Sequence, residues 1–380
     1  MNVAPSRLRT EVAIVGGGLV GCSTALHLAR RRVPCVLLEA GRCGAQASGV
    51  NYGGVRRQGR ALAELPLAGR ARRIWGRLER LVGGDGEFRA TGHLRLARDE
   101  AEAAALEGWI REAARYGVHG ELLSREALRA RFPWLGEGFA AGSFCADDGQ
   151  ANPRLVSPLF ARAARSEGAT ILEGRTVVAI ERAPPGFVLR AEPELELEAR
   201  VLVNAAGAWG AGIARLLGEE LPSEPIAPNM LVSEPLPFRI EPNLGMAGPG
   251  IYLRQVPDGS VIFGGGRGTV DLERRRCRPS FATSLATIEE ACRVVPELAR
   301  ASIIRTWAGI EGRTSDDLPI IGPSPRMAGL FHAFGFSGHG FMLAPAVGAV
   351  LAELVLDGHS ATSLAGLEPA RFAPGSAAAA

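Results

Sequence analysis

Short apolar runs alternate with glycine-punctuated helical stretches from the start of the chain. Residues 11–16, EVAIVG, have the pattern of a buried strand. GGGLVGCSTALHLARR follows, glycines first and then apolar residues at helical spacing, and PCVLLEAG supplies a second buried strand ending at Glu39. Together they predict a β–α–β unit of about thirty residues. Residues 41–60 read as a Gly-rich polar loop, 61–83 as a helix that turns Trp75 and Leu78 inward, and 99–116 as an amphipathic helix. SREALRARFPWL reads as a short capped helix stopped at Pro133. GATILEGRTVVAIER predicts strand, turn, strand, and LELEARVLVNAAGAW predicts a pair of strands, the second fully buried and ending at Gly207. Between 221 and 300 Pro-rich turns alternate with short strands, including the hairpin GIYLRQVPDGSVIFGGG that turns at Asp258-Gly259. SFATSLATIEEACRVVPEL predicts a helix, and the loop GFSGHGFMLAPAVGAV opens another near the end. No internal repeat is present, and GSAAAA at the terminus reads as a disordered tail.

Composition narrows the chemistry. The chain has 380 residues, 47% of them hydrophobic, enough for one large domain split into two lobes. Net charge is only +3, so no nucleic-acid partner is expected. Lysine is absent: all 43 positive side chains are arginine. That excludes Schiff-base lysine chemistry and a Walker-type phosphate lysine. The six cysteines form no C-x-x-C pair, so no metal centre or iron–sulfur site is expected. Unpaired thiols, an N-terminus without a signal-peptide pattern and no run judged long enough to span a bilayer predict a cytoplasmic protein without a membrane span.

Gly16, Gly18 and Gly21 spell G-x-G-x-x-G directly after a strand and at a helix start. The first glycine permits the tight turn, the second lets backbone approach a pyrophosphate, and the third lets helix and strand pack closely. The helix N-terminus offers unpaired N–H groups to the phosphates, and Glu39 stands where ribose hydroxyls are held. A nicotinamide dehydrogenase completes its nucleotide domain early in the chain. Here VLVNAAGAW (201–209) and DDLPIIGPS…GFSGHGF come much later, and a nucleotide domain built from distant segments is the layout of flavoproteins.

Five blocks in order, AIVGGGLVGCSTALHLARR…VLLEAG, SGVNYGGVRRQ, VLVNAAGAWG, TWAGIEGRTSDDLPIIG and FGFSGHGFMLAPAVG, resemble the FAD-dependent amine and amino-acid oxidoreductases. That family includes D-amino-acid oxidase, glycine oxidase, sarcosine oxidase and the β subunits of opine oxidase, D-hydroxyproline dehydrogenase, proline dehydrogenase and hydrogen cyanide synthase. The resemblance implies an α/β fold: a Rossmann-like FAD-binding domain (1–80, 150–215 and 305–365), an interleaved mixed-sheet substrate domain (81–149 and 216–304) and a flexible tail (366–380). It implies that Gly16, Gly18, Gly21 and Glu39 hold the ADP half of FAD, and that Ser48, Gly53, Gly54 and Arg56 pass along the flavin. Val177 takes the adenine-contacting strand position, Ala206, Gly207 and Trp209 flank the nucleotide, and Gly338, His339, Gly340, Phe341 and Met342 face the flavin pyrimidine edge.

Three departures from the family pattern matter. Where D-amino-acid oxidase carries a carboxylate-gripping arginine, this chain has Glu311, so the carboxylate falls to Arg254, Arg56 or Arg313, or Glu311 meets the cationic nitrogen. Gly309 stands near the flavin-linking cysteine position of sarcosine oxidase, which implies non-covalent FAD. The lysines of that oxidase have no counterpart, and Met342 occupies one of their places. The expected reaction is oxidation of a small amino acid or secondary amine (D-hydroxyproline, proline, sarcosine, glycine or an opine) by hydride transfer to the flavin. The missing lysines favour a dehydrogenase passing electrons to a partner, a ferredoxin-like or second flavin or iron–sulfur subunit, over an oxidase that makes hydrogen peroxide. Arg267 is a candidate substitute for the oxygen-activating lysine.

Other candidates carry two readings each. His339 is a base or orients its loop. Arg254 clamps a carboxylate or is a solvated strand arginine, and Tyr252, two residues away, shares its strand face. Asp316 and Asp317 precede LPIIG in a turn, where a structural role is expected.

Overall fold

The computed structural model describes residues 6–373. Two eight-stranded sheets organise them. The first runs, in spatial order, Ile320–Pro323, Leu330–Phe334, Leu195–Asn204, Ser6–Val15, Cys35–Glu39, Thr170–Glu173. Ser6–Val15 pairs in parallel with Leu195–Asn204 on one side and Cys35–Glu39 on the other. Its inner half, Val12–Val15, is buried, whereas its outer half carries Arg7 and Arg9 opposite Glu196 and Glu198. Such register places apolar residues in the core and opposite charges face to face at the rim. Thr176–Ala183 and Gly186–Glu192 fold back as an antiparallel hairpin on that rim.

Three helices cover one face: Leu19–Arg30, Pro153–Ser166 and Gly340–Asp357 share a single apolar cluster with the Leu65–Trp75 helix. Trp75 and Leu78 are buried in it as expected, in the helices Leu65–Trp75 and Leu78–Val82.

The second sheet runs Ile303–Ala308, Pro228–Pro235, Ser260–Arg267, Tyr252–Gln255, Asn243–Met246, His93–Ala97, Ala141–Cys145, Glu121–Ser124. Alternation divides its faces. Leu94, Leu96, Leu244, Leu253, Phe263 and Leu231 point back onto the helix Phe281–Val294 and form the second core. The opposite face looks toward the first sheet's carboxyl edge.

Several expectations need correction. Leu195–Asn204 is one continuous strand, because parallel pairing along its whole length carries it through Ala199 and Arg200. The helix Pro153–Ser166 was not anticipated. Asn152 caps it and burial of its apolar face outweighs the interior Pro158, which removes one backbone donor. Residues 41–60 contain a helical turn, Ala47–Val50, and a strand, Gly54–Val55. Residues 305–308 belong to the second sheet, paired with Pro228–Pro235, and not to the cofactor segment. Residues 367–372, expected within a flexible tail, are folded: Leu367 is fully buried, Pro369–Phe372 forms a 3-10 turn, and Arg371 Nε donates to Asp316 at 2.8 Å. The GSAAAA stretch lies outside the described residues. Contrary to expectation, Gly340–Asp357 is long and apolar enough, by composition, to cross a membrane, with mean hydropathy 1.7, and 67% of it is buried inside the protein.

Candidate active site

A cavity of about 920 Å³ runs between the two sheets. It starts at the carboxyl ends of Ser6–Val15, Cys35–Glu39 and Leu195–Asn204, where Val15, Gly16, Gly18, Glu39 and Ala205 line it. In open parallel sheets this edge, where strand order reverses, is where nucleotides bind.

The three motif glycines are explained by what surrounds them. Gly16 has φ +108°, and a Cβ there would lie 2.4 Å from Ala205 O. A Cβ on Gly21 would sit 1.9 Å from Gly16 O, so the helix could not approach the turn. On Gly18 a Cβ would meet only Ser48 Oγ, at 3.2 Å, and Gly18 lines the cavity. Its lack of a side chain keeps space open in front of the helix rather than relieving a protein contact. Ser48 Oγ accepts from Leu19 N at 3.0 Å. Glu39 accepts from Gly17 N at 2.6 Å and Gly41 N at 2.7 Å, so its carboxylate braces the turn and also borders the cavity. A cradle of open backbone at a helix N-terminus with an acid beside it fits a dinucleotide pyrophosphate and ribose.

Farther along, Arg275 reaches from the second lobe to bond Ala40 O at 3.3 Å and Thr176 Oγ1 at 2.9 Å, and Trp209 Nε1 donates to Leu272 O at 3.1 Å. Val177, Ala206, Gly207 and Trp209 line this part of the cavity.

The far end is roofed by the second sheet. Arg95, Gly245, Tyr252, Gly264 and Met230 follow one another across adjacent strands. A Cβ on Gly264 would lie 2.7 Å from Tyr252 Oη, so glycine lets the phenol lie across the sheet. Tyr52 stacks on Tyr252 with centroids 4.7 Å apart, and Tyr252 Oη donates to Met230 Sδ at 3.2 Å. Burial raises both phenols, so both stay protonated.

Charges of both signs line this cavity. Glu311 accepts from Gly338 N at 2.6 Å, and no described cation lies within 4.0 Å of it. Burial lifts its carboxyl to about 7, with the Gly338 N–H pulling the other way. Opposite in sign stand Arg56 and Arg95, which also line the cavity without a described carboxylate within 4.0 Å. Arg56 Nη1 donates to Gln58 O at 2.6 Å, and Arg95 donates to Met246 O at 3.1 Å and Ala247 O at 2.7 Å. Desolvation, then the Arg56 charge, brings Arg95 down to about 10. His93, buried beside them with Nδ1 2.8 Å from Gln58 Oε1, is held neutral by burial and the nearby arginines.

His339 stands at the start of the Gly340–Asp357 helix. Its Nδ1 lies 3.0 Å from Glu64, which is fully buried. Arg60 ties the arrangement together: Nε to Arg56 O at 2.7 Å, Nη1 to Glu64 at 3.3 Å, Nη2 to His339 O at 3.3 Å. Trp75 Nε1 donates to Met342 O at 2.9 Å, which holds the next turn.

The cavity brings together Gly16, Gly18, Glu39, Ser48, Gly54, Arg56, Val177, Ala206, Gly207, Trp209, Tyr252, Glu311, Gly338, His339, Gly340, Phe341 and Met342. Gly21 and Gly53 stand behind its wall. Arg254 matches neither of its two readings, being neither solvated nor among the residues that line the cavity. It is 5% exposed, bonded through Nη1 to Gln150 at 3.1 Å, and shielded by Gly53, whose Cβ would lie 2.9 Å from Nη2. Arg313 borders the cavity but its guanidinium is engaged by Asp317 at 2.6 and 2.9 Å and Glu224 at 3.4 Å. Asp316 accepts from Leu318 N and Arg371, as its turn position suggested.

Arg60, Glu64, His93 and Arg95 escaped the sequence reading. A signal existed for two of them: HLRLA alternates polar and apolar residues, which puts His93 and Arg95 on the face opposite Leu94 and Leu96.

A glycine-rich turn at the switch point of a parallel sheet, opening on a chamber roofed by a second sheet, defines a dinucleotide-binding oxidoreductase fold with its own substrate compartment. The pattern of the FAD dependent oxidoreductase family matches residues 11–354, and the chain belongs to that family, with FAD as its cofactor. It is similar to glycine oxidase of Geobacillus kaustophilus, 30% identical over 94% of this chain and 96% of that one. It is also similar to the hydrogen cyanide synthase subunit HcnC of Pseudomonas aeruginosa, 27% identical over 97% of each. Among solved structures, L-proline dehydrogenase from P. horikoshii superposes with TM-score 0.89 at 28% identity, covering 97% of this chain and 98% of that one.

Proposed function

We propose that this protein oxidises a small amino acid or secondary amine at the carbon next to nitrogen, yielding an imine that water hydrolyses. The observation that carries this reading is the charge of both signs in the chamber. Glu311 lines the cavity with no described cation within 4.0 Å, and Arg56 and Arg95 line it with no described carboxylate within 4.0 Å. All three are half-buried at the cavity wall, where a closed, ligand-filled chamber would leave them desolvated, and a ligand bearing both an ammonium and a carboxylate compensates both signs at once. When bound, FAD supplies the two-electron acceptor for a hydride. The chain's own residues bind and orient. Arg56 and Arg95 take the carboxylate, Tyr52, Tyr252 and Met230 exclude water, and the backbone N–H groups at the start of Gly340–Asp357 present positive potential to the chamber.

The names of the similar proteins, glycine oxidase, L-proline dehydrogenase and a hydrogen cyanide synthase subunit, support small amino acids as the substrate class. Substrates of sarcosine, glycine, proline, D-hydroxyproline or opine type suit the chamber. FAD is held non-covalently, a reading supported by Gly309 at the place of the linking cysteine.

Electrons leave to a partner subunit, a reading supported by the absence of lysine and by the apolar, fully buried Met342. The similarity to glycine oxidase favours a second reading, direct reaction with oxygen. The six unpaired cysteines suit a reducing compartment such as the cytoplasm.

Anaerobic mixing of the FAD-loaded protein with a panel of these amines tests the function. Bleaching of the oxidised-flavin absorbance by at least one amine is expected, and no bleaching by any of them rejects the reading. Admitting air afterwards separates the two exits: reduced flavin that persists until a dye is added marks the partner route, and fast peroxide formation marks the oxidase.

A further inference from the structure

We propose that Glu311 is the proton acceptor of this reaction, its free carboxylate oxygen taking a proton from the substrate ammonium before the carbon–hydrogen bond breaks. The proposal rests on the amine-oxidation reading above and assigns one residue a chemical task within it.

Glu311 Oε1 is occupied by Gly338 N–H at 2.6 Å, and the carboxylate borders the cavity. Glu311 is half-buried, whereas the fully buried acids of this arginine-rich chain are compensated. Glu64 meets Arg60 and His339, Asp148 meets Arg57, and Glu219 meets His332. Glu311 has no such partner among the described residues.

The groups that face it supply none. Arg313, on its own strand, is turned to Asp317 and to Glu224 of the neighbouring strand Ser223–Ile226. Tyr252, from Tyr252–Gln255, is kept protonated by burial. His339, next to Gly338, has its ring held by Glu64 and is shifted toward the neutral form by burial. A carboxyl at about 7 stands ionised at and above neutral pH and can return a proton to water there. Taking it from an ammonium at about 10 is uphill by about a thousandfold, or about 4 kcal/mol, a smaller step than to an ordinary carboxylate near 4.5, and departure of hydride draws it forward.

The step balances. One N–H bond of the ammonium breaks and an O–H bond forms on Glu311. The freed lone pair becomes the second bond of C=N as hydride leaves the adjacent carbon, and both electrons of that C–H bond are accepted by FAD. Glu311 returns its proton to water when product departs. Addition of water to C=N and cleavage of the C–N bond give a carbonyl compound and an amine.

The test compares FAD-loaded wild type and Glu311→Gln, mixed anaerobically with sarcosine and with L-proline from about pH 6 to about pH 10. The second-order rate constant of flavin reduction is followed. Glutamine keeps the acceptor for Gly338 N–H, and the flavin spectrum reports whether the site stays loaded. Wild type is expected to lose rate as pH falls through about 7. In Glu311→Gln that limb moves up to the amine's own pKa near 10, with a loss of roughly 100-fold or more near neutral pH. A variant whose profile superimposes on wild type, or falls by one factor at every pH, overturns the proposal. A wild-type profile with no limb near 7 that only tracks the amine's pKa overturns it without any variant. Failure of the underlying reading looks different: no amine then reduces the wild-type flavin at any pH.

Discussion

Glu64 and His339, 275 residues apart in the chain, meet at 3.0 Å inside the protein. The Arg60 guanidinium completes the contact, bonding Glu64, the His339 carbonyl and the Arg56 carbonyl together. One buried arginine therefore brackets the loop that bears Arg56 to the loop that opens the last helix. Glu64→Ala would leave the Arg60 charge buried and uncompensated. We expect a loss of about 3–5 kcal/mol in unfolding free energy. Glu64→Gln, which retains acceptor geometry, should lose less, about 1–3 kcal/mol. Urea unfolding of the FAD-loaded protein measures both, and equal losses would contradict the charge argument.

Gly18 and Gly21 look alike in the motif but should respond differently to alanine. At Gly21 the new Cβ would collide with Gly16 O, so Gly21→Ala should depress the thermal midpoint even without FAD. At Gly18 it enters the cavity and meets only a serine hydroxyl. Gly18→Ala should keep the midpoint of the FAD-free protein while FAD affinity drops tenfold or more, about 1.4 kcal/mol. Flavin fluorescence titration separates these outcomes.

Three arginines were candidates for the substrate carboxylate, and their surroundings rank them. Arg56→Gln should raise KM for carboxylated amines on the order of 30- to 100-fold, or about 2–3 kcal/mol, as expected for a charge-assisted contact. Arg313 already serves Asp317 and Glu224 at the surface, so Arg313→Gln should change KM little and stability by within about 0.5 kcal/mol. Arg254→Gln should affect stability more than KM, because the guanidinium lies behind Gly53. Steady-state kinetics with a dye acceptor checks the order.

Glu311 also leaves a mark on stability. Its folded carboxyl titrates near 7, above the ordinary range near 4.5. Between these values the folded protein holds a proton that the unfolded chain has released. Stability from this group is therefore fully present below about 4.5 and is lost as pH rises through about 7. Glu311→Gln removes that dependence. Relative to wild type it should gain on the order of 1–3 kcal/mol between acid and mildly alkaline conditions, measured by urea unfolding at fixed excess FAD. A pH-independent difference between the two proteins would contradict the assignment.

Elements with one dominant local signal were legible in the chain. The G-x-G-x-x-G turn, the Glu39 strand end, the Asp258-Gly259 hairpin and the capped helix at Ser124 each rest on contacts within a few residues, so periodicity and glycine placement suffice to find them. Pro153–Ser166 stayed hidden, since its stability comes from burial against another helix and an interior proline argues locally against it. The site divides the same way. Gly16, Gly18, Gly21 and Glu39 follow from spacing, because a phosphate cradle is one turn of backbone.

The sequence by itself determined the nucleotide-binding turn, the flavoprotein layout of distant strand segments and the absence of any lysine chemistry. It also determined that an acid, Glu311, stands in the AGIEGRT block. Only the tertiary structure decided which charges remain unpaired. Tyr252 and Arg254 share a strand face, yet one lines the chamber and the other is walled off by Gly53 and bonded to Gln150. Glu64 and Arg60 became part of the site because His339, far along the chain, folds onto them. Pairing and burial are properties of neighbours in space, and no periodicity within a single strand or helix encodes which distant side chain arrives to neutralise a charge.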